Sequence, residues 1–315
     1  MARLTTAWAL SEELEKISLA GRIAAEARDH GASLVRPGAS AREVCEEVES
    51  LIVRRGAAPA FPCNFSINDV AAHYTPGISD NVRVPEKAIV KVDVGASVDG
   101  YLADTAVSVV VGSAELSHLM ESAREALEAA ASVVSPNVRV FEIGRAIERA
   151  ITARGFRPVR NLTGHTMSRY VLHAGESIPN YGDRSAFYRR LRPPVLVAIE
   201  PFSTAGRGFV VDGPNAYIYS ATGKEPKGAS ELALSVLQHI LNKYRTLPFA
   251  VRWLSPEWKE SELARALDEL TRLRALHRYP ILIEASRAPV AQFEHTFYIT
   301  RSGVLVTTRA SEDMS

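Results

Sequence analysis

The sequence predicts an α+β fold, in which pairs of helices alternate with antiparallel β hairpins. Three observations carry this prediction: amphipathic helix pairs, Val- and Ile-rich segments beside turn residues, and a repeat of one helix pair about 99 residues along the chain. Strands joined as hairpins, rather than through single helices, argue against a parallel βαβ sheet. A length of 315 residues, 46% hydrophobic and 23% charged, is typical of a globular chain with one large or two medium domains.

The first helix pair lies in the N-terminal part of the chain. One helix is expected from Ser11, which can cap it, to about Val35, and Pro37-Gly38 ends it. Ser40 then starts a second helix, and Gly56 closes it. Apolar residues recur at helical spacing along both segments, so each helix is expected to bury one face.

A second helix pair repeats the first. Helices are expected over 115–134 and 141–154, and Pro136 separates them. At an offset of 99 residues, eight positions match in one register: Pro37/Pro136, Glu43/Glu142, Val44/Ile143, Val48/Ile147, Glu49/Glu148, Ile52/Ile151, Arg55/Arg154 and Gly56/Gly155. We interpret the match as an internal duplication, although two generic amphipathic helices would supply some of these identities.

Segments rich in Val, Ile and Ala lie between and after the helix pairs. Strands are expected at Ala88–Val94, Tyr101–Val111, Val195–Ile199, Gln292–Thr300 and Gly303–Thr308, the last two as a closing hairpin. The region from 226 to 277 instead has a helical pattern, with Ser255-Pro256-Glu257 as a helix start. It predicts a helical subdomain, over 214–278, inserted between two β segments.

Composition gives no positive sign of several classes of protein, although a basic patch could still form in the folded chain. The 37 basic and 36 acidic residues show no long run of one sign, so the sequence gives no indication of nucleic-acid binding. Two cysteines, Cys45 and Cys63, are too few for a disulfide framework and favour a reducing compartment. The first residues lack the apolar core of a signal peptide, and no stretch of about 18 apolar residues occurs. A cytoplasmic location is expected.

Two aspartates stand within the predicted strands of one hairpin. Asp93 and Asp104 face the same side of the hairpin if the turn between them has an even number of residues. A two-residue turn at Val98-Asp99 would place them directly opposite each other. Carboxylates that close repel unless a proton or cation lies between them, which favours a divalent metal. The alternative is a pair of solvent-facing aspartates on a half-exposed hairpin.

Three further residues complete a candidate metal site. His165 follows Gly164, whose lack of a side chain permits close backbone approach. Glu200 ends an apolar strand, and Glu294 lies in another. Each is weak evidence singly, because a lone His or Glu is more often structural. Together, two aspartates, two glutamates and one histidine form a carboxylate-rich set that suits two divalent ions, which activate water and polarise a carbonyl or phosphoryl group.

These segments resemble the type 2 methionine aminopeptidases of the pita-bread metallopeptidase superfamily. The resemblance is carried, in chain order, by Asn68–Pro76, the Asp93/Asp104 hairpin, Gly164-His165, His173–Gly175, Ala198–Phe202 and Ala291–Thr296. The helical insertion is typical of type 2 and absent from type 1 enzymes, and the lack of a long N-terminal extension resembles the archaeal form. The resemblance implies a pseudo-twofold fold and a single catalytic domain over 1–315 that carries the insertion.

The resemblance also implies a metal-binding role for each ligand. Asp93 would be a bidentate ligand of one metal, and Asp104 and Glu294 would bridge both metals. His165 and Glu200 would bind the other metal. The implied cofactors are two divalent ions, drawn from Co, Mn, Fe, Zn and Ni.

Further roles follow from the same resemblance. His73 and His173 are expected to be catalytic and to contact substrate, and Glu200 to accept a proton from the attacking water. Phe61 and Leu172 are expected at the pocket for the methionine side chain.

The implied function is removal of the initiator methionine from nascent polypeptides by a water activated at a dinuclear metal centre, with preference for a small second residue. The implied partners are nascent N-termini, with transient ribosome association, no nucleic acid required, no membrane, and a monomeric state. Two alternatives are a binding protein of this fold without peptidase activity and a prolidase-like dipeptidase. The complete ligand set argues against the first, and the lack of an extra large N-terminal domain argues against the second.

Overall fold

The computed structural model describes residues 2–309, with side chains from residue 12 onward. The helices are α1 (Ala2–Ser33), α2 (Ala41–Arg54), α3 (Ala114–Val133), α4 (Val140–Ala153), α5 (Glu231–Lys243) and α6 (Glu260–Arg272). The strands are β1 (Ala58–Ile67), β2 (Val70–Ala72), β3 (Ala88–Val98), β4 (Tyr101–Val111), β5 (Arg157–Pro158), β6 (Thr163–Met167), β7 (Ser177–Pro179), β8 (Val195–Ile199), β9 (Phe202–Thr204), β10 (Val210–Asp212), β11 (Ile218–Ala221), β12 (Phe249–Ala250), β13 (Leu276–Tyr279), β14 (Leu282–Glu284), β15 (Val290–Gln292), β16 (His295–Ile299) and β17 (Val304–Val306). Short 3₁₀ turns lie at Arg184–Ala186 and Val251–Leu254.

The two helix pairs are related by the predicted repeat. Helices α2 and α4 have 14 residues each, and their bounds differ by the offset of 99. Gly56 and Gly155 follow them with φ values of 83° and 79°, the left-handed conformation that ends a helix. The two halves also share one ion pair at matching positions, Arg55–Glu26 and Arg154–Glu125. The internal duplication is therefore visible in geometry as well as in sequence.

Each helix pair covers one sheet. Apolar residues of α1 and α2, including Val44 and Val48, pack on the sheet β1-β3-β4. Residues of α3 and α4, including Ile143 and Ile147, pack with strands of the sheet β17-β16-β8-β6-β7. An antiparallel bridge between Ala106 and Glu294 joins the two sheets. The expected α+β arrangement of helix pairs on antiparallel strands is confirmed.

The inserted region is not wholly helical. Besides α5 and α6 it contains strands β11, β12 and β13, which form a sheet with its own apolar core. The expectation of helix at Phe249–Ala250 and Leu276–His277 was therefore wrong, because short β segments close that core. Helix α6 begins at Glu260, not near Ser255-Pro256-Glu257. The subdomain bounds 214–278 stay a prediction.

A buried ion pair fastens the insertion to the rest of the chain. The Arg252 guanidinium donates to a carboxylate oxygen of Glu49 on α2 and to Thr75 Oγ1 at 2.7 Å. Trp253 Nε1 donates to the other Glu49 oxygen at 2.8 Å, and the Cys63 amide donates to Glu49 at 3.0 Å. This Glu49–Arg252 contact therefore links the insertion, α2 and β1.

Several local expectations have definite outcomes. Helix α1 begins at Ala2, so Ser11 lies inside it and is not its N-cap. Ser40 caps α2 as expected, with its Oγ accepting from the Glu43 amide. Cys45 and Cys63 are both free thiols and buried. Within the described residues, no helix is both long and apolar enough to cross a bilayer.

Candidate metal centre

The β3–β4 hairpin places Asp93 and Asp104 on the same face of the sheet, as the parity argument predicted. Asp104 is paired with Gly95, and Asp93 with Ala106, so the two aspartates are diagonal neighbours. The turn is Asp99-Gly100 and not Val98-Asp99, so of the two registers considered the one that would place the aspartates directly opposite does not occur. Both turn residues have positive φ, 51° and 87°, as a two-residue hairpin turn requires.

The strand pair β6–β8 brings His165 and Glu200 to the same place. His165 is paired with Ala198, so Glu200 follows at the end of the neighbouring strand. His165 Nε2 lies 3.5 Å from Asp104 Oδ2 and 3.7 Å from Glu200 Oε1. Candidate ligands from both halves of the repeat therefore lie close together.

Glu294 lies in the two-residue gap between β15 and β16. Its amide donates to the Ala106 carbonyl at 3.0 Å, and its carbonyl accepts from Thr105 Oγ1 at 2.8 Å. Thr296 Oγ1 accepts from the Asp104 amide at 2.8 Å and donates to the Asp104 carbonyl at 2.7 Å. These contacts fix the backbone of β4 against the closing strands, and so fix Glu294 beside Asp104.

The resulting cluster has the donor set of a metal site. One ligand atom each from Asp104, His165 and Glu294 lies within 4.8 Å of the other two. Among the described residues, Asp93 Oδ1, Asp104 Oδ1 and Glu294 Oε1 are buried without a hydrogen-bond partner. Buried carboxylate oxygens rarely remain unpaired, and oxygen donors with one imidazole suit hard or borderline divalent ions. The residues present therefore fit a divalent metal.

The electrostatics of the cluster agree with this fit. Burial, and then the neighbouring carboxylates, raise the pKa values of Asp93, Glu200 and Glu294 well above their ordinary range. Burial raises the pKa of Asp104 to about 7 and lowers the pKa of His165 to about 4. A bound cation would offset the repulsion among the carboxylates, and a neutral imidazole is the form that binds metal.

The cluster forms one side of a cleft of about 260 Å³. All the predicted site residues line it: Asp93, Asp104, His165, Glu200, Glu294, His73, His173, Phe61 and Leu172. Their convergence is a structural fact, whereas their individual roles as ligands, catalytic groups and pocket walls stay predictions.

The two further histidines, His73 and His173, line the same cleft. The His173 ring lies 4.3 Å from the His165 ring, between centroids. His73 Nδ1 lies 3.2 Å from the Pro280 carbonyl oxygen, which can only accept, so Nδ1 carries the proton. Burial lowers the pKa of His73 to about 4. His73 Nε2 is therefore an acceptor at neutral pH.

Sequence reasoning missed residues that the insertion contributes to the cleft. Tyr279 on β13 places its ring 5.6 Å from that of His73 and 6.3 Å from that of His173, and Ile218 and Pro248 lie beside it. The local sequence of the short strand β13 does not indicate that its tyrosine lines the cleft. Gln292 donates to Glu294 Oε2 at 3.4 Å. The sequence did offer one indication of Gln292, since alternation along a strand places it on the same face as Glu294.

Known proteins resemble this chain over almost its whole length. The model of metallopeptidase family M24 matches residues 15–301. Curated proteins named methionine aminopeptidase are 45% identical over 296 residues in Pyrococcus abyssi and 42% identical over 300 residues in Saccharolobus solfataricus, covering 94% and 95% of this chain and 99% of each relative.

Solved structures show the same fold at low identity. A structure titled as a thermophilic Arx1 has a TM-score of 0.85 at 17% identity, covering 95% of this chain and 91% of that one. Methionine aminopeptidase from Rickettsia prowazekii has a TM-score of 0.68 at 22% identity, covering 95% and 98%. The pita-bread expectation is confirmed. The donor cluster, the repeat and the family match agree, and the chain belongs to metallopeptidase family M24.

Proposed function

We propose that this chain is a methionine aminopeptidase, which hydrolyses the first peptide bond of polypeptides that begin with methionine. The observation that carries the proposal is the joining, in one small cleft, of a buried carboxylate-imidazole cluster with the apolar side chains of Phe61 and Leu172. The archaeal relatives named methionine aminopeptidase, matched over nearly their full length, support the same activity.

Five side chains would hold the metal ions: Asp93, Asp104, His165, Glu200 and Glu294. We propose two divalent cations, with Co, Mn, Fe, Zn and Ni all compatible with this ligand set. When bound, such ions polarise a carbonyl group and lower the pKa of a water molecule. The free α-amine of the substrate would bind one of these ions, which favours exopeptidase action.

The chain's own groups would then orient the substrate and move protons. Glu200 would accept the proton of the attacking water, because its carboxylate lines the cleft beside the cluster, with Oε1 3.7 Å from His165 Nε2. His73 Nε2 accepts a hydrogen bond from the scissile amide, consistent with the proton on Nδ1. The side chain of His173 is partly open to solvent. Desolvation, and then His165 and His277, lower its pKa to about 3, so the ring is neutral and its N–H can stabilise the developing oxyanion.

The size of the cleft supports selection of one side chain. A volume of about 260 Å³ lies just below the usual range for small-molecule pockets. Phe61 and Leu172 would contact the methionine side chain, and the limited space favours a small second residue. We propose further that the substrates are the N-termini of nascent chains in the cytoplasm. The enzyme would be a monomer that associates transiently with ribosomes.

Peptide assays test it directly. With Co²⁺, Mn²⁺ or Fe²⁺, methionine release is expected from Met-Ala-Ser and not from Met-Lys peptides. No release from Met-Ala-Ser would refute the function, and cleavage of Xaa-Pro substrates instead would indicate a dipeptidase. Glu294→Gln should lose bound metal and activity together, whereas Glu225→Gln, at an exposed position outside the cleft, should keep both.

A further inference from the structure

The charge of the chain is distributed unevenly. Residues 139–192 contain eleven arginines, no lysine and four acidic residues, an excess of seven positive charges. The whole chain has an excess of only one. The residues outside this segment therefore have an excess of six negative charges, and the segment itself is strongly basic.

Two parts of this segment, α4 and residues 181–192, pack together into one surface. Gly182 lies against α4, close enough that a Cβ there would be 3.3 Å from the Phe141 ring and 3.4 Å from Arg145 Cβ. The Val140 amide donates to the Arg189 carbonyl at 3.0 Å. The Arg139 guanidinium stacks 4.6 Å above the Phe187 ring. We call the outer face of α4 together with residues 181–192 the arginine surface.

Acidic residues neutralise the segment only in part: Glu176 pairs with Arg189 at 2.5 Å, and Glu148 lies 3.7 Å from Arg160. Glu142 accepts from the Arg139 amide, and Asp183 accepts from Ser185. Arg145, Arg149 and Arg184 are exposed, and no carboxylate among the described residues lies within ion-pairing distance of them. Arg145 and Arg149 are four residues apart and share one face of α4. Their charge is available to a partner.

An aromatic ring stands among these arginines. Tyr188 is 88% exposed, the largest exposure of any large hydrophobic side chain in the described residues. Its ring packs edge-on against Phe187 at 5.2 Å. The Arg139 guanidinium covers the same Phe187 ring. An exposed ring close to arginines is the arrangement on which unpaired bases stack while guanidinium groups contact phosphates.

We propose that the arginine surface binds RNA, with its guanidinium groups on the phosphates and an unpaired base against Tyr188. Arginine without lysine favours phosphate, which it contacts with two parallel hydrogen bonds. Residues 181–192 flank α4, so the helix does not project as a free rod that could enter a DNA groove. The surface lacks the broad apolar face of a membrane-binding helix.

The arginine surface lies next to the cleft. Arg160, whose guanidinium stacks 3.7 Å above the Tyr181 ring, directly precedes Asn161, which lines the cleft. Asn180 Nδ2 donates to the carbonyl of Leu162, another cleft residue, at 2.9 Å. RNA bound here would lie beside the cleft. The proposal does not rest on peptidase activity, since the surface contains none of the predicted site residues.

Binding of a fluorescent RNA hairpin with an unpaired loop by the full chain tests the proposal. Affinity should fall with salt, with a slope of log K against log salt of about −3 to −5, as expected for about five phosphate contacts. Duplex DNA of equal length should bind at least fivefold more weakly, and phosphatidylserine vesicles should not compete.

Matched variants locate the site. Arg145→Ala/Arg149→Ala/Arg184→Ala should weaken RNA binding about tenfold or more relative to Arg22→Ala/Arg36→Ala/Arg265→Ala, which removes three arginines that are also exposed but lie elsewhere. Tyr188→Ala should weaken binding about fivefold or more, and Phe209→Ala, also exposed, should not.

Thermal unfolding within a few degrees of the wild type establishes that each variant is folded. If both arginine triple variants lose RNA affinity equally, the binding depends only on the overall charge of the protein, and the proposed site is wrong. Duplex DNA bound as tightly as the hairpin, or vesicles bound in its place, would overturn the assignment to RNA.

Discussion

In the metal-free protein, Asp104→Asn should stabilise the fold while abolishing metal binding. Asp104 is 4% exposed, and burial raises its pKa from 3.8 to about 7. At pH 8 the carboxylate is ionised in both the folded and unfolded states, so this difference opposes folding by about 4 kcal/mol. The neutral amide has nearly the same shape and removes that cost.

The pH dependence has a definite sign. Because the folded pKa is raised, the destabilisation is fully present above about pH 7 and declines as pH falls toward 3.8. Near pH 5 it should have fallen to about 2 kcal/mol. The stability advantage of Asp104→Asn over the metal-free wild type should therefore shrink on mild acidification. Buried histidines such as His73, whose lowered pKa values make acidification destabilising, are present in both proteins, so their effect largely cancels in this difference.

Thermal unfolding in EDTA and in excess Mn²⁺ measures both effects. At pH 8 in EDTA, the variant should unfold on the order of 8 °C above the wild type. In Mn²⁺ the order should reverse, because only the wild type gains binding energy. A variant that unfolds below the wild type in EDTA, or a wild type that Mn²⁺ does not stabilise, would refute the electrostatic reasoning.

Three other substitutions follow from the geometry. Glu49→Ala leaves Arg252 buried without its carboxylate and should cost about 3–5 kcal/mol in denaturant unfolding; an unchanged midpoint would contradict a buried pair. His73→Ala should lower kcat by about 10²–10⁴-fold with metal content unchanged, and loss of metal would instead assign it a ligand role. Phe61→Ala should raise KM for Met-Ala-Ser more than it lowers kcat, at a cost of about 3–5 kcal/mol in stability, and an unchanged KM would remove it from the substrate pocket.

Local periodicity predicted much of this fold, and its failures have physical causes. The parity of Asp93 and Asp104 followed from alternation along strands, but their register depended on the turn. Asp99-Gly100, a pair tolerant of positive φ, was the signal that would have placed it. The repeat was predictable because the glycines that end the two helices, and the apolar positions within those helices, recur at a constant offset of 99 residues.

Other features depend on contacts between distant segments. Tyr279 reaches the cleft only because β13 pairs with β11 inside the insertion, and nothing local to its sequence indicates that destination. The arginine surface was hidden for a different reason. Overall charge balance conceals a basic segment when acidic residues are concentrated elsewhere, and only the packing of residues 181–192 against α4 makes it one surface.

The bridge between Ala106 and Glu294 also bears on the order in which the protein matures. Asp93 and Asp104 emerge from the ribosome early, whereas Glu294, which lies 188 residues after Ala106, is synthesised late. Until β16 docks, the early carboxylates lack both the glutamate and the Thr296 clamp on Asp104. Metal binding should therefore be one of the last steps of folding. A chain stalled before Glu294 would hold aspartates that repel each other, without the bound cation that offsets this repulsion.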